Sequence, residues 1–298
     1  MGFHEGELAV QERAGVRQMA AKIGNGIHQS IPPAAAGFLA EQRLAALGWS
    51  APDGAVWASL ICGPAGWLSA PGPRTIAAAA LPAPGDPLGG LLRPGLALGM
   101  LVIDPATRRR MRANGVVSGR DESGWSLLTD EVYSNCPKYI QARQIEAAAP
   151  AELAEARASD RLDAAARALI AGADTFFIAS ARPGGGADAS HRGGNPGFVR
   201  LLDERTLLFP DYRGNMMFNT LGNLAANPRA GLLFVDWERG ATLQLSGAAE
   251  ILWDDPAQAG FAGAERLVRF RLRAARSGQA ALAGRLISRS PFNPGPAA

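Results

Sequence analysis

The chain carries many short runs in which hydrophobic and polar residues alternate, separated by glycine and proline. In Leu267–Arg273 the apolar residues Val268, Phe270 and Leu272 alternate with arginine, which predicts a half-buried strand. Further strands are predicted over Val56–Cys62, Gly66–Ser69, Thr75–Leu81, Leu96–Ile103, Asn114–Ser118, Trp125–Val132, Thr175–Ala181, Gly197–Leu202, Thr206–Phe209, Arg229–Asp236 and Thr242–Leu252. Strands this short and this frequent indicate a β-barrel or sandwich rather than a βαβ sheet.

Helical patterns are few. Residues 1–36 are expected to form an arm, and Phe38–Leu47 has the apolar spacing of a helix. A second helix is predicted from a cap at Ser159 or Asp160 to Ala171, because Gly172 follows as a stop signal. A third is predicted over Asn219–Ala226.

The strand-rich stretches resemble two copies of one unit. Met100–Asp104 parallels Leu232–Asp236, and each is followed by a strand that reaches Ser-Gly, at Val117–Gly119 and Leu245–Gly247, with the second interval four residues shorter. A repeat of this size indicates duplicated domains. The predicted division is an arm over 1–36, a first barrel over 37–145, a second barrel over 146–280 and a tail over 281–298.

Composition narrows the class of protein. The 298 residues include 47% hydrophobic and 19% charged residues, as in globular domains, and no apolar run has the length of a membrane span or a signal peptide. A cytoplasmic location without membrane contact is therefore expected. The net charge of +3 is too small to indicate nucleic-acid binding. Cys62 and Cys136 form no zinc-binding pattern, so no metal is expected.

The segment Asp188–Asn215 combines features suited to a phosphate-bearing ligand. Ser190, His191 and Arg192 precede two glycines, where a backbone can be approached closely. Backbone N–H groups in the turn that leads to the helix near Asn219, with Arg213 adjacent, suit a phosphate. Each piece alone has a structural explanation, since glycine-rich turns are common in β proteins and a lone arginine usually lies on the surface.

The ordered motifs resemble the FMN-binding branch of the pyridoxamine 5′-phosphate oxidase-like proteins. The resemblance rests on SHRGG (Ser190–Gly194) and FPDYRGN (Phe209–Asn215), followed by NPRAGLLFVD (Asn227–Asp236). FHEGE (Phe3–Glu7) and NCPKYIQAR (Asn135–Arg143) are similar to signatures of one subgroup of that family.

This resemblance implies a mainly β protein with flanking helices, built as tandem split β-barrels, with FMN at an interface between barrels. His191 is the candidate catalytic residue. The residues implied to bind the cofactor are Ser190, His191, Arg192, Gly193, Tyr212, Arg213, Gly214, Asn215, Asn219, Gln244 and Ser246. The chain departs from the family at Met216, Met217 and Ala248, where relatives often carry basic residues, and the first barrel has no HRGG or YRGN motif.

Three functions fit these motifs. The first is an FMN-dependent oxidoreductase that acts on a small molecule. The second is a flavin-binding redox sensor or electron-transfer protein. No GxGxxG motif follows a strand here, so the chain is expected to have no NAD domain of its own, and a flavin or NAD(P)H reductase is a candidate partner. The third is a split barrel that binds haem or a deazaflavin. The barrels are expected to pair, within one chain as a pseudo-dimer or between chains as a homodimer. Cys136 beside Lys138 is either a reactive thiol near the flavin or a buried structural cysteine.

Overall fold

The computed structural model describes residues 2–147 and 158–295, which form two large antiparallel sheets and a small third one. The first large sheet has the strand order β2-β1-β5-β6-β7-β4-β3. Its strands are β1 (Leu44–Ser50), β2 (Val56–Cys62), β3 (Leu68–Gly72), β4 (Thr75–Ala78), β5 (Ala97–Asp104), β6 (Arg109–Arg120) and β7 (Trp125–Ser134).

The second large sheet has the strand order β11-β10-β14-β15-β16-β13-β12, with β9 (Ala158–Ser159) paired to β16. Its other strands are β10 (Thr175–Ala181), β11 (Ala187–Gly193), β12 (Arg200–Leu201), β13 (Thr206–Tyr212), β14 (Arg229–Val235), β15 (Ala241–Leu252) and β16 (Ala264–Gln279). Each strand of the first sheet thus has a counterpart in the second at the same place in the order.

The helices flank these sheets. They are α1 (Glu5–Arg13), α2 (Arg17–Gly24), α3 (Pro33–Glu41), α4 (Ala164–Gly172) and α5 (Asn219–Ala226), with a short 3₁₀ helix over Pro256–Gly260. The third sheet pairs β8 (Ala142–Ala147) with β17 (Leu282–Ser288), which lies in the predicted tail. Within the described ranges, no helix is long and apolar enough to cross a membrane.

Pairing register and a β-bulge together fix how the two halves correspond. β6 shifts register between Asn114 and Gly115 and again between Val117 and Gly119, and β15 shifts between Ser246 and Gly247. Gly99 pairs with Asn114, and Gly231 pairs with Ser246. Asn114-Gly115, rather than Ser118-Gly119, is therefore the counterpart of Ser246-Gly247. The predicted four-residue difference between the two intervals is wrong.

The two sheets share a hydrophobic core where the outer faces of β1, β2 and β5 meet those of β10, β11 and β14. Its members include Ala46, Ala58, Leu101, Phe177, Ala179, Leu233 and Trp237. The strands cross closely because glycine lies at both contacts. A Cβ atom on Gly99 would lie 2.4 Å from Asp188 Cα, and one on Gly231 would lie 2.6 Å from Trp57 Cα. The edge strand of each sheet, β2 in the first and β11 in the second, therefore crosses the other sheet.

Several predicted elements need correction. Phe38–Leu47 is not one helix, because α3 begins at Pro33 and β1 follows at Leu44. Proline suits the first turn of a helix, where its missing N–H is not needed. β1 is buried on both faces, and such a short continuous apolar run has no period that distinguishes a strand from a helix.

Other differences have similarly local causes. β2 pairs with β1 through the Asp53-Gly54 turn, not with Gly66–Ser69. α4 is capped by Asp163, whose carboxylate accepts from Ala166 N at 2.8 Å, rather than by Ser159 or Asp160. The predicted bounds of β2, β10 and α5 are confirmed to the residue.

Candidate functional site

The SHRG residues of the motif lie on strand β11, which the sequence patterns did not predict. Alternation along β11 places Asp188, Ser190 and Arg192 on one face and His191 on the other. Because β11 crosses the first sheet at Gly99, it meets Arg110 and Arg112 of β6. These six residues, Arg110, Arg112, Asp188, Ser190, His191 and Arg192, are called the motif crossing below.

Arg112 forms the central ion pair of the motif crossing. Its Nη1 atom lies 3.0 Å from Asp188 Oδ1, and the two side chains are 8% and 4% exposed. Its Nη2 atom donates to Ser190 Oγ, and its Nη1 also donates to Tyr133 OH at 3.2 Å. Burial by itself would lower the pKa of Arg112, but Asp188 raises it above its ordinary value. Arg112 therefore stays charged in the interior.

His191 is surrounded by positive charge. Arg110 Nη1 donates to His191 Nδ1 at 3.2 Å. Burial, and then the charges of Arg110 and Arg192, lower the pKa of His191 well below its usual range. Burial and nearby Arg112 also lower the pKa of Arg110 to about 10. His191 is consequently neutral at pH 7, and an acid role, which remains a prediction, would have to use its Nε2 proton.

A second carboxylate lies beside the motif crossing. Asp211 Oδ2 pairs with Arg266 Nη1 at 2.7 Å, and Asp211 Oδ1 lies 3.6 Å from Arg192 Nη2. Three arginines, Arg112, Arg192 and Arg266, thus face two aspartates, Asp188 and Asp211. In the described part of the chain, the Nε atoms of Arg110, Arg112 and Arg266 are buried without a hydrogen-bond partner. Buried donors of this kind normally have a partner, so the cluster suits an anion.

The N-terminus of α5 opens onto the same place. Its N-cap residue Phe218 makes no capping hydrogen bond, so the first backbone N–H groups of the helix lack a side-chain partner there. Thr220 Oγ1 donates to Ser190 Oγ at 2.8 Å. A cavity of about 50 Å³ lies here, lined by Arg112, Ser190, Arg192, Asp211, Tyr212, Gly214, Asn215, Met216, Phe218, Asn219, Thr220 and Leu221. Helix N-termini with adjacent arginines are anion sites.

The predicted site residues divide into three groups. Ser190, Arg192, Tyr212, Gly214, Asn215 and Asn219 line the cavity. His191 lies on the opposite face of β11, and a Cβ atom on Gly193 would lie 2.0 Å from Tyr139 O. The Arg213 side chain is exposed, and its carbonyl accepts from Tyr139 OH at 3.2 Å.

Gln244 and Ser246 are not brought to the motif crossing. Gln244 Nε2 donates to Ser59 Oγ at 3.2 Å and to Asp86 Oδ2 at 3.0 Å, where β15 meets the edge strand β2. Ser246 is buried on β15 opposite Gly231. This second crossing is the counterpart of the motif crossing in the other half.

The pairing register fixes that correspondence. Gly99 and Ala58 both pair with Gly48, and Gly231 and Ala189 both pair with Ala179. Ala58 therefore corresponds to Ala189. Ser59, the next residue along, corresponds to Ser190. By the same register Gln244 corresponds to Arg112, and Leu60-Ile61 stand where the motif has His191-Arg192. The second crossing consequently lacks the arginines of the first.

Sequence reasoning missed Arg110 and Arg112, the two residues of the motif crossing that come from the first sheet. The predicted strand began at Asn114, whereas β6 begins at Arg109. Arginine at 110 and 112, with Met111 between them, has the period of two that a strand face requires, and this signal could have found both residues.

The two other signature segments pack around the motif. Asn135–Arg143 covers the end of β11, where Gln141 Nε2 donates to Gly194 O at 3.3 Å. Arg143 Nη2 lies 2.5 Å from Asp174 Oδ2 in a buried ion pair. Phe3–Glu7 leads into α1, which packs on α5. Cys136 is half-buried, and both cysteines are free thiols.

The cluster fits a phosphate better than a flavin ring. The unpaired Nε atom of Arg112, which lines the cavity, and the uncapped helix suit the phosphate end of a flavin nucleotide. The volume of about 50 Å³ lies far below the roughly 300 Å³ at which small-molecule sites begin. Arg112 and Arg110 bridge the gap between β6 and β11. A larger cavity, about 930 Å³, lies elsewhere, between α4, the β14–β15 turn and β17.

Over residues 2–147 and 158–295, no group of three or more histidine, cysteine, aspartate or glutamate side chains is placed to hold a metal ion.

Comparison with known proteins identifies the class. Residues 162–286 match the sequence model described as pyridoxamine 5′-phosphate oxidase. This match covers strands β10 to β16 together with α4 and α5. The second half of the chain is therefore a pyridoxamine 5′-phosphate oxidase-like domain, and the matched residues do not include the first sheet.

Solved structures give weaker likenesses. A variant of HupZ from Group A Streptococcus is 18% identical, with 39% of this chain and 98% of that chain covered and a TM-score of 0.32. A pyridoxamine 5′-phosphate oxidase from Lactobacillus delbrueckii is 14% identical over 39% and 94%, with a TM-score of 0.33. An FAD-binding protein from Mesorhizobium loti is 14% identical over 42% and 99%, with a TM-score of 0.30. No curated protein matched the sequence. These TM-scores are too low to indicate a cofactor.

Proposed function

We propose that the chain is an FMN-binding flavoprotein that anchors the cofactor phosphate at the motif crossing and acts as an oxidoreductase on a small molecule. The observation that carries the proposal is the positively charged cavity at the uncapped N-terminus of α5. Ser190 and Thr220 offer hydroxyl groups there, and Arg192 offers a guanidinium. Bound FMN would supply hydride or electron transfer.

The binding site is a property of one chain under this proposal. The two sheets share a core, and β6 of the first sheet meets β11 of the second. A single chain therefore acts as a pseudo-dimer of two duplicated split barrels, and a homodimer is not needed. The second crossing is the degenerate copy, since Leu60 and Ile61 replace His191 and Arg192. We expect one FMN per chain at saturation and a mass near 31.1 kDa by light scattering.

The flavin ring of FMN is too large to fit into this cavity. The ring would lie outside the cavity of about 50 Å³, so only its ribityl-phosphate end contacts the residues named above. Binding should then depend strongly on the phosphate. A charge-assisted hydrogen bond contributes about 1.5–3 kcal/mol, which corresponds to roughly 10- to 100-fold in affinity.

The test compares FMN, riboflavin and sulfate on the purified protein, after its visible spectrum and any released cofactor have been recorded. We expect FMN to bind at least ~10-fold more tightly than riboflavin, and this preference to collapse in Arg192→Met. Arg205→Met, a change at an exposed arginine, is the matched control and should keep the preference. Equal affinity for FMN and riboflavin, or sulfate binding without FMN binding, would refute the flavoprotein proposal.

Reduction experiments separate the two redox functions. A protein that is reduced directly by NAD(P)H and turns over a substrate is an oxidoreductase. A protein that is reduced only by a separate reductase is an electron-transfer partner or sensor. A haem spectrum would contradict both.

A further inference from the structure

Helix α1 holds the chain segment that forms the rim of the cavity. The closest approach of α1 and α5 is at two glycines, since a Cβ atom on Gly6 would lie 2.2 Å from Gly222 O. Glu7 Oε1 accepts from Asn219 Nδ2 at 2.6 Å, and Gln11 Nε2 donates to Met217 O at 2.9 Å. The start of α5 is thus fixed from outside by α1.

That segment needs to be held. Met216 and Phe218 have φ values of 62° and 60°, a left-handed conformation that side-chain-bearing residues rarely adopt. Gln11 binds the carbonyl that lies between them. Asn219 also reaches the motif crossing, because its Oδ1 accepts from Arg112 Nη1 at 3.4 Å. A chain of contacts therefore runs from Glu7 through Asn219 to Arg112.

Among the residues that the structure describes, no arginine or lysine forms an ion pair with Glu7, which is 7% exposed. His4 on the same helix has a pKa lowered by burial, so it is neutral at pH 7. Glu131 on β7 and Asp188 on β11 add negative charge near Glu7. The nearby arginines do not offset it, because Arg112 on β6 is paired with Asp188 and the charge of Arg182 lowers the pKa of His4.

These surroundings shift the ionisation of Glu7. Burial raises the pKa of Glu7 to about 7, hydrogen bonds from His4 N and Asn219 oppose the shift, and Glu131 and Asp188 add to it. Near neutral pH both forms of the side chain are consequently populated.

We propose that Glu7 is a proton-linked positioning residue: its neutral form keeps α1 on α5 and holds Asn219 toward Arg112, and its ionisation releases α1. The proposal does not depend on which cofactor binds. It makes the rim of the cavity more mobile as the proton concentration falls.

The sign and size follow from linkage. The pKa of Glu7 is about 7 when α1 is docked and 4.5 in the unperturbed side chain. Docking is therefore strongest below pH 4.5 and weakens as the pH rises through 7. Between about pH 6 and pH 8 the equilibrium constant for release of α1 should rise about tenfold.

Hydrogen exchange of the full-length protein without cofactor tests this. Protection of the backbone amides of α1 is measured at about pH 6, 7 and 8 and corrected for intrinsic exchange rates. We expect the opening constant of α1 in the wild type to rise about tenfold across this range, and Glu7→Gln to remove the rise. Glu12→Gln, an exposed change on the same helix, should behave as the wild type.

Glu7→Ala distinguishes the proton from the packing. It removes the bond to Asn219, so we expect α1 to open more at every pH, without a pH dependence. A flat wild-type profile overturns the proposal, and this result needs no variant. The same rise in Glu7→Gln as in the wild type overturns it as well. Neither result bears on FMN binding, which the flavin titration tests separately.

Discussion

Replacing Asp188 by asparagine removes the carboxylate that pairs with Arg112. Arg112 is 8% exposed at the side chain, so its charge would stay buried with no carboxylate in contact. The shape of the side chain is kept, and one oxygen remains to accept a hydrogen bond. The change therefore tests the charge of the pair rather than its packing.

The expected loss follows from the burial of both groups. Removing one partner of a buried ion pair costs about 3–5 kcal/mol, because the remaining charge is left uncompensated. Ser190 and Tyr133 still accept from Arg112, so we expect the lower end, about 3 kcal/mol. The variant also makes the cluster more positive, and sulfate should stabilise it more than it stabilises the wild type.

Urea denaturation followed by circular dichroism and by tryptophan fluorescence measures this loss. Asp236→Asn is the matched control, since Asp236 pairs with the exposed Arg239 and should change stability little. A loss below about 1 kcal/mol in Asp188→Asn would show that the pair is not buried as described. Equal stabilisation of both proteins by sulfate would contradict the argument that the charge of Asp188 opposes anion binding at the cluster.

Two further predictions use other residues of the fold. Gly99→Ala should lower the free energy of unfolding by about 1–3 kcal/mol in the same denaturation assay, because the new Cβ would lie 2.4 Å from Asp188 Cα. Gly90→Ala, whose Cβ would have no atom within 4 Å, should change it by no more than about 0.5 kcal/mol, and equal effects would contradict the close crossing of the sheets. Burial raises the pKa of the Cys62 thiol to about 12, so Cys62 should resist iodoacetamide at about pH 8 in the native protein and react after unfolding, as peptide mass spectrometry would show; rapid native labelling would contradict its burial.

Sequence patterns predicted strands best where one face is polar or where turn residues bracket the run. The predicted bounds of β2 and β10 agree with the observed ones, and so do those of α5, which ends before Asn227-Pro228. β1 and β11 were missed for a shared reason. Both contain few β-branched or aromatic residues, since β1 reads LAALGWS and β11 reads ADASHRG, so neither has a strong preference for strand. The equally buried β2 and β10 contain such residues, in VWASLIC and TFFIASA.

Part of the candidate site could likewise be selected from the sequence. Ser190, Arg192 and Asn219 lie within or beside one continuous motif, so the family resemblance carried by that motif was enough to select them. Gln244 and Ser246 were selected by position, as residues that a partner barrel brings to complete the site. The structure brings Arg112 of the first sheet to that position and leaves Gln244 at the second crossing.

By itself the sequence determined the mainly β class, the strand-rich halves and the polar motif of the second half, because each depends on residues close together in the chain. The tertiary structure alone decided which residues face that motif. Arg112 and Asp188 are 76 residues apart, and Glu7 and Asn219 are 212 apart. Such pairs are set by strand register, by the bulge at Asn114 and by the glycines that let two sheets cross, and none of these leaves a local pattern in the sequence.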